Sequence, residues 1–146
     1  MVNKNKIFDL FDHHPKVKEE IEQNATLLKE DPFTKIGMFT KLIVNHSIFH
    51  QKLDKFLKKE HPSYDVETTK NASMFTVYNR AWHYISQIDL NNKYHLNALL
   101  DFKMEPFITT LDQALQYFES TEEYERCAQL LKIKKLKEAF KNNLAI

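Results

Sequence analysis

The sequence predicts an all-α, single-domain bundle of about five to six helices, and three observations carry that expectation. One glycine and four prolines occur in 146 residues, too little turn chemistry for a sheet protein, which reverses direction at short intervals. Residues 74–88, MFTVYNRAWHYISQI, gather their apolar side chains into one half of a wheel that turns roughly 100° per residue. Helix-breaking pairs fall at helical spacings: Asp31-Pro32, His61-Pro62, Asn91-Asn92, and then Pro106.

The stretch 74–88 reads as the central helix. Met74, Tyr78, Ala81, Ile85 and Ile88 form its spine, Phe75 and Trp82 flank one side, and Val77 and Tyr84 the other. So wide an apolar arc needs cover from several directions. Ahead of it, Ile7, Phe8, Leu10 and Phe11 make residues 1–14 a short docking segment over the core. A first helix starts around Pro15, ends near Glu30, and is expected to bury Val17, Ile21, Ala25 and Leu28. A second runs from about Phe33 to Glu60 with Ile36, Phe39, Leu42, Ile43, Phe49, Leu53, Phe56 and Leu57 on one face; Gly37 marks a kink or a close crossing. The central helix starts at Asp65 or a neighbour and ends near Asp89. Another begins near Lys93, burying Leu96, Leu99, Leu100 and Phe102, and Pro106 interrupts it. The following segment buries Phe107, Leu111, Ala114, Leu115 and Phe118. Ser120 with Glu123 spells a capping box for a last helix from about Glu122 into the 140s.

Composition narrows the function. The net charge is +1 and only Arg80 and Arg126 are arginines, thin for base reading or bidentate phosphate clamps. A lone glycine removes every glycine-rich phosphate cradle. The single cysteine, Cys127, excludes an internal disulfide and fits a reducing compartment. With no signal-peptide core and no membrane-length apolar run, the expected location is cytoplasmic, with no membrane partner. Richness in Lys, Asn, Ile and Phe points to an AT-rich bacterial or phage genome.

His46 and His50 are the sharpest polar anomaly, an HxxxH pair inside the apolar stripe of the second helix with Asp54 at the edge of the same row. Such a pair can present two imidazoles to one metal. No motif supplies a third or fourth ligand, so the reading is two core-edge histidines bonded to a neighbouring helix, with no metal and no cofactor. Lys41, Lys52, Lys55 and Lys59 form a stripe on the opposite face, and Lys132, Lys134, Lys135, Lys137 and Lys141 a second basic region. Either could follow a phosphate backbone; a solvated helix face is the simpler account.

Arg80 and His83 resemble the Arg-and-His motif of small helical ribonucleases of the HEPN class, here as RxxH, a shorter gap than that family's. Their arc, with Asn79 and Gln87, reads as a narrow solvated face. Within residues 111–137, FESTEEYERCAQLLKIKKLK resembles the UVR motif, a helical hairpin of bacterial excision-repair proteins. Tyr124-Glu125 stands where that family has Phe-Glu, Cys127-Ala128 where it has Ala-Ala, and Leu130 at an apolar position. Leu131-Lys132 replaces its Arg-Asp pair, and Ile133 and Leu136 are each displaced by one position. The resemblance implies a protein–protein hairpin.

On the last helix, Tyr124, Cys127, Ala128 and Leu131 share one face, while Leu130, Ile133, Leu136, Phe140 and Leu144 follow another, which meets either a further helix of this chain or a second molecule. That second stripe is the expected partner contact, on a larger protein or nucleoprotein or on a second copy as a homodimer. The function expected is a non-enzymatic interaction protein, a small bacterial or phage regulator or inhibitor, with a host defence nuclease one target that would suit it. The alternative is an RNA- or DNA-binding protein using Lys41, Lys52, Lys55, Lys59, Arg80 and His83. A metal-dependent bundle enzyme, resting on His46 and His50, is the third reading.

Overall fold

A computed structural model describes residues 15–103 and 105–144, with side chains from 16 to 142 in that range. The docking role expected of residues 1–14 lies outside the described residues. Among the described residues six helices follow one another: α1 (Pro15–Glu30), α2 (Pro32–Glu60), α3 (Val66–Ile85), α4 (Lys93–Asp101), α5 (Pro106–Ser120) and α6 (Tyr124–Leu144). No strand occurs among the described residues, and none of the helices is long and apolar enough to cross a membrane. The chain is an all-α bundle.

Local chemistry accounts for the breaks. Pro32 opens α2 and Pro106 opens α5, where a missing N–H costs nothing. Asp65 caps α3, accepting from the Thr68 amide at 3.2 Å. Asn92 caps α4, accepting from the amides of Tyr94 (2.9 Å) and His95 (3.4 Å). The expected capping box at Ser120 is absent. Ser120 still belongs to α5 and donates to the Tyr117 carbonyl at 2.6 Å. Instead, Glu122 takes a left-handed conformation (φ 61°). The Glu122 amide then reaches the Glu119 carbonyl at 3.1 Å and the Glu123 amide the Phe118 carbonyl at 2.8 Å. This Schellman closure of α5 turns the chain directly into α6.

Two antiparallel helical hairpins, α2–α3 and α5–α6, make up most of the packing, and α4 bridges α2 and α6. Their junction is aromatic. Tyr78 stacks on Tyr117 (4.5 Å, 11°), and Phe118 meets Tyr78, Trp82 and Tyr117 edge-on at 6.3, 5.9 and 5.3 Å. Phe107 meets Phe39 and Phe102 in the same way. Ile36, Ile43, Ala81, Ile85, Leu99, Leu111, Ala114, Leu130 and Ile133 complete a fully buried core. The spine of α3 is placed as its periodicity predicts, with Met74 partly buried. Phe75, however, is exposed, and Trp82 is half-buried beside the core rather than at its centre.

Lys137 closes α4 from a distance. Its Nζ donates to the carbonyls of Leu99 (2.9 Å), Leu100 (2.8 Å) and Phe102, occupying acceptors left free where that helix ends. Burial pushes its pKa down. Gly37 serves no close crossing: a Cβ there would meet only the Phe102 ring, at an ordinary 3.9 Å, and α2 runs on without interruption.

Two expected burials are overturned. Residues 16–30 of α1, including Val17, Ile21, Ala25 and Leu28, are exposed. Its one-residue junction, Asp31 in an extended conformation, turns it outward, and α2 is its main neighbour. Phe49 and Phe56 on α2 are 60% and 57% exposed. They point roughly a quarter-turn or more from the line that meets α3, and beyond Ile43 only that line is covered.

The core assignment makes a ranked prediction. Phe118→Ala should cost about 3–5 kcal/mol, and Trp82→Ala distinctly less, because its ring leaves a partly open space. Urea denaturation of the two variants checks the order; a larger loss at Trp82 would contradict this placement of the core.

Candidate functional site

The residues singled out by sequence fall in three places. The first is the far half of the α2–α3 hairpin. On α2 the only buried residue beyond Ile43 is His50, and on α3 none precedes Tyr78. Residues 45–76 therefore form a two-helix arm, reaching about 25 Å past the core along α2 and covered inside only by its own seam.

His46 and His50 lie in that seam, ring centroids 4.3 Å apart, both with Nε2 turned to the Ser73 hydroxyl of α3. His50 makes the short contact and His46 a longer one of 3.4 Å. The Ser73 hydroxyl also reaches the Thr69 and Lys70 carbonyls, each at 3.1 Å. When it donates to either carbonyl, its oxygen accepts from an Nε2–H, which leaves Nδ1 of neutral His50 bare. That nitrogen and Asp54 Oδ1, one turn further along, are both buried without a partner. Two acceptors cannot satisfy each other. Among the described residues, no group of three or more His, Cys, Asp or Glu is arranged to hold a metal. Ser73 was not singled out from the sequence, where one hydroxyl among many on a helix carries no signal.

The outer face of the arm is different. Lys41, Lys52, Lys55 and Lys59 are exposed, with no ion pair among the described residues. Ile48, Phe49 and Phe56 stand exposed beside them. The second basic region is partly consumed inside the fold: Lys134 pairs with Asp112 at 2.6 Å, and Lys137 caps α4.

Arg80 and His83 are both exposed on α3; the Tyr84 ring lies 5.5 Å from that of His83, and the His83 carbonyl accepts from Ser86 Oγ (3.3 Å) and Gln87 Nε2. The functional-looking arginine is the other one. Arg126 donates to Asn79 Oδ1 (2.8 Å), pairs with Glu123 (2.6 Å), and lies over the Trp82 and Phe118 rings at 5.3 and 5.2 Å. It ties α6 to α3 and α5, a positioning role rather than a chemical one.

The third place is the C-terminal stripe. Ile133 is fully buried in the core with Leu130, so it offers nothing to a partner. Leu136 is 38% exposed, while Tyr124 and Leu131 on the face expected inside are exposed. Phe140 is half-buried and lines a cleft with Leu100, Phe102, Phe107 and Ile108. The Leu144 side chain lies outside the described residues. The helix has rotated relative to expectation because Leu130, Ile133 and Lys137 follow one line and all three have partners in α4 or the core. Cys127 is half-buried, its thiol pushed up in pKa first by burial, and its Sγ faces the Leu115 carbonyl at 3.7 Å.

Burial lowers the His46 pKa below its ordinary 6.5, with the neighbouring His50 and Lys70 acting in the same direction. The unfolded chain therefore binds a proton more readily. The neutral form's contribution is intact above pH 6.5 and is lost as pH falls through the lower, folded-state value. Melting followed from neutral pH downward should show this loss, and His46→Gln should flatten it; an unchanged profile would remove His46 as its source. Comparisons of the chain with protein-family models, curated proteins and solved structures find no match.

Proposed function

We propose that this chain is a non-enzymatic interaction protein, a regulator or inhibitor that acts by presenting helix faces to a protein or nucleoprotein partner. The observation that carries the reading is the uncovered apolar surface. Val17, Ile21, Leu27 and Leu28 on α1, and Ile48, Phe49 and Phe56 on the arm, stand in solvent while a complete core lies elsewhere. Contiguous apolar exposure of this kind marks contact sites on folded proteins. Exposed phenylalanines rimmed by lysines have the make-up of an interface with a polar edge. The main contact thereby moves from the C-terminal helix to the arm, with Leu136 and Phe140 left as a smaller second face. The hairpin form of residues 111–137, and their likeness to the UVR motif, support the same class.

A second reading, nucleic-acid binding, is favoured by one observation: Lys41, Lys52, Lys55 and Lys59 share one exposed face without a neutralising carboxylate. Binding of that kind weakens steeply with salt.

Capture from host extract, with and without nuclease, separates the two. The interaction reading expects one protein, at a fixed ratio to the bait, that survives nuclease and is lost with Phe49→Asp/Phe56→Asp while the helical signal stays unchanged. Material that vanishes with nuclease, or that Lys52→Gln/Lys55→Gln/Lys59→Gln alone abolishes, would place nucleic acid first.

A further inference from the structure

The seam of the arm holds two buried acceptors in need of a donor. His50 is 6% exposed; its Nε2 is taken by the Ser73 hydroxyl, and its Nδ1 is bare. Asp54, one turn further along α2, has Oδ1 buried and equally bare. It forms no ion pair among the described residues. Side chains four apart on a helix are neighbours, within reach of each other through ordinary rotamers. A single proton between these two atoms makes whichever carries it a donor to the other. The pair then forms one N–H···O or O–H···N bond, and neither atom is left without a partner.

The groups around this row decide what a further proton does. The element packed against it is α3. From there the Ser73 hydroxyl meets both histidines, the Tyr78 ring lies 6.3 Å from that of His46, and the Lys70 charge acts on His46. The one acid of α3, Glu67, is exposed in its first turn. On α2, the residues one turn from His46 are Leu42, Ile43, Phe49 and His50, so no carboxylate of its own helix faces it. The rings of His46 and His50 are 4.3 Å apart. A proton on His46 therefore places a cation beside Lys70 and beside a ring that already shares a proton, with no anion to meet it.

We propose that the arm is a two-step proton switch, in which one proton shared by His50 Nδ1 and Asp54 Oδ1 stiffens the seam and a second, on His46, opens it. A site that binds its proton more tightly in the closed seam than in the open one adds stability as pH falls, and a site that binds it less tightly removes stability. The two steps have opposite signs, so the arm is firmest at an intermediate pH. A buried histidine acting alone only loses stability as acid is added. The device goes beyond the interaction reading, since it belongs to the isolated chain whatever the arm contacts. A partner docking on Phe49 and Phe56 would meet a firm arm within one pH window and a loose one on either side.

Amide exchange of the full-length chain, with each rate corrected for the intrinsic effect of pH, tests this from about pH 8 down to about pH 4, on both sides of the ordinary range of histidine. Protection of residues 48–72 relative to 110–118 should rise by about tenfold or more and then fall as pH drops. Histidine side-chain NMR over the same series should show the His50–Asp54 pair gaining its proton before His46. Asp54→Asn offers an amide N–H to the bare Nδ1 without any proton, so its arm should be firm from the upper end and show no rise. His46→Gln should keep the rise and lose the fall. The wild-type profile alone decides the main point, whichever variants fold. Relative protection that only falls from the upper end, a rise that survives in Asp54→Asn, or a proton on His46 before the pair overturns the proposal.

Discussion

Everything in this fold depends on how two helical hairpins are held together by rings. The contact of α2–α3 with α5–α6 runs through the stacked pair Tyr78–Tyr117 and through Phe118, which meets three aromatic neighbours. Ring pairs in such offset and edge-on geometries add roughly 0.5–1.5 kcal/mol each beyond the area they bury. Arg126 seals the rim, its guanidinium over the Trp82 and Phe118 rings and its nitrogens spent on Glu123 and Asn79. At the opposite side Lys137 holds the end of α4 against α6.

Because that junction lies at one end of α2 and α3, the rest of the hairpin has no third layer among the described residues. A single neighbouring helix covers about one stripe of α2, so the edges of its wide apolar face stay in water. The seam of the arm is polar where a core would be apolar: His46, His50 and Ser73 meet there, with an unpartnered nitrogen and an unpartnered carboxylate oxygen beside them. Unsatisfied buried groups of this kind each cost on the order of 1–3 kcal/mol. The arm is therefore built for local opening rather than for stability, a property shared by surfaces that adapt to a partner.

Much of this was legible in the chain. Spacing alone placed the spine Tyr78, Ala81, Ile85 and Ile88, and the Asp-Pro, His-Pro and Asn-Asn breaks located the helix ends to within a few residues. Periodicity says which side of a helix is apolar but not whether anything lies against it. That gap accounts for α1, whose stripe is exposed among the described residues, and for Phe49 and Phe56. It also accounts for α6, where two candidate faces exist and long-range partners in α4 choose between them, burying Ile133. Ser73, Arg126 and Lys137 act across 23 to 47 residues of sequence, a separation at which no local pattern marks a partner. At Glu122 the chain uses a left-handed residue that composition would have assigned to glycine.

Amide hydrogen exchange on dilute protein, read residue by residue, tests most directly whether the molecule is a ring-locked core carrying an uncovered arm. The account predicts that amides in residues 78–85, 110–118 and 127–134 exchange only through global unfolding, while those in α1 and in residues 48–72 exchange orders of magnitude faster through local opening. Protection of the arm equal to that of the core would contradict it, because the far hairpin would then share the stability of the aromatic junction.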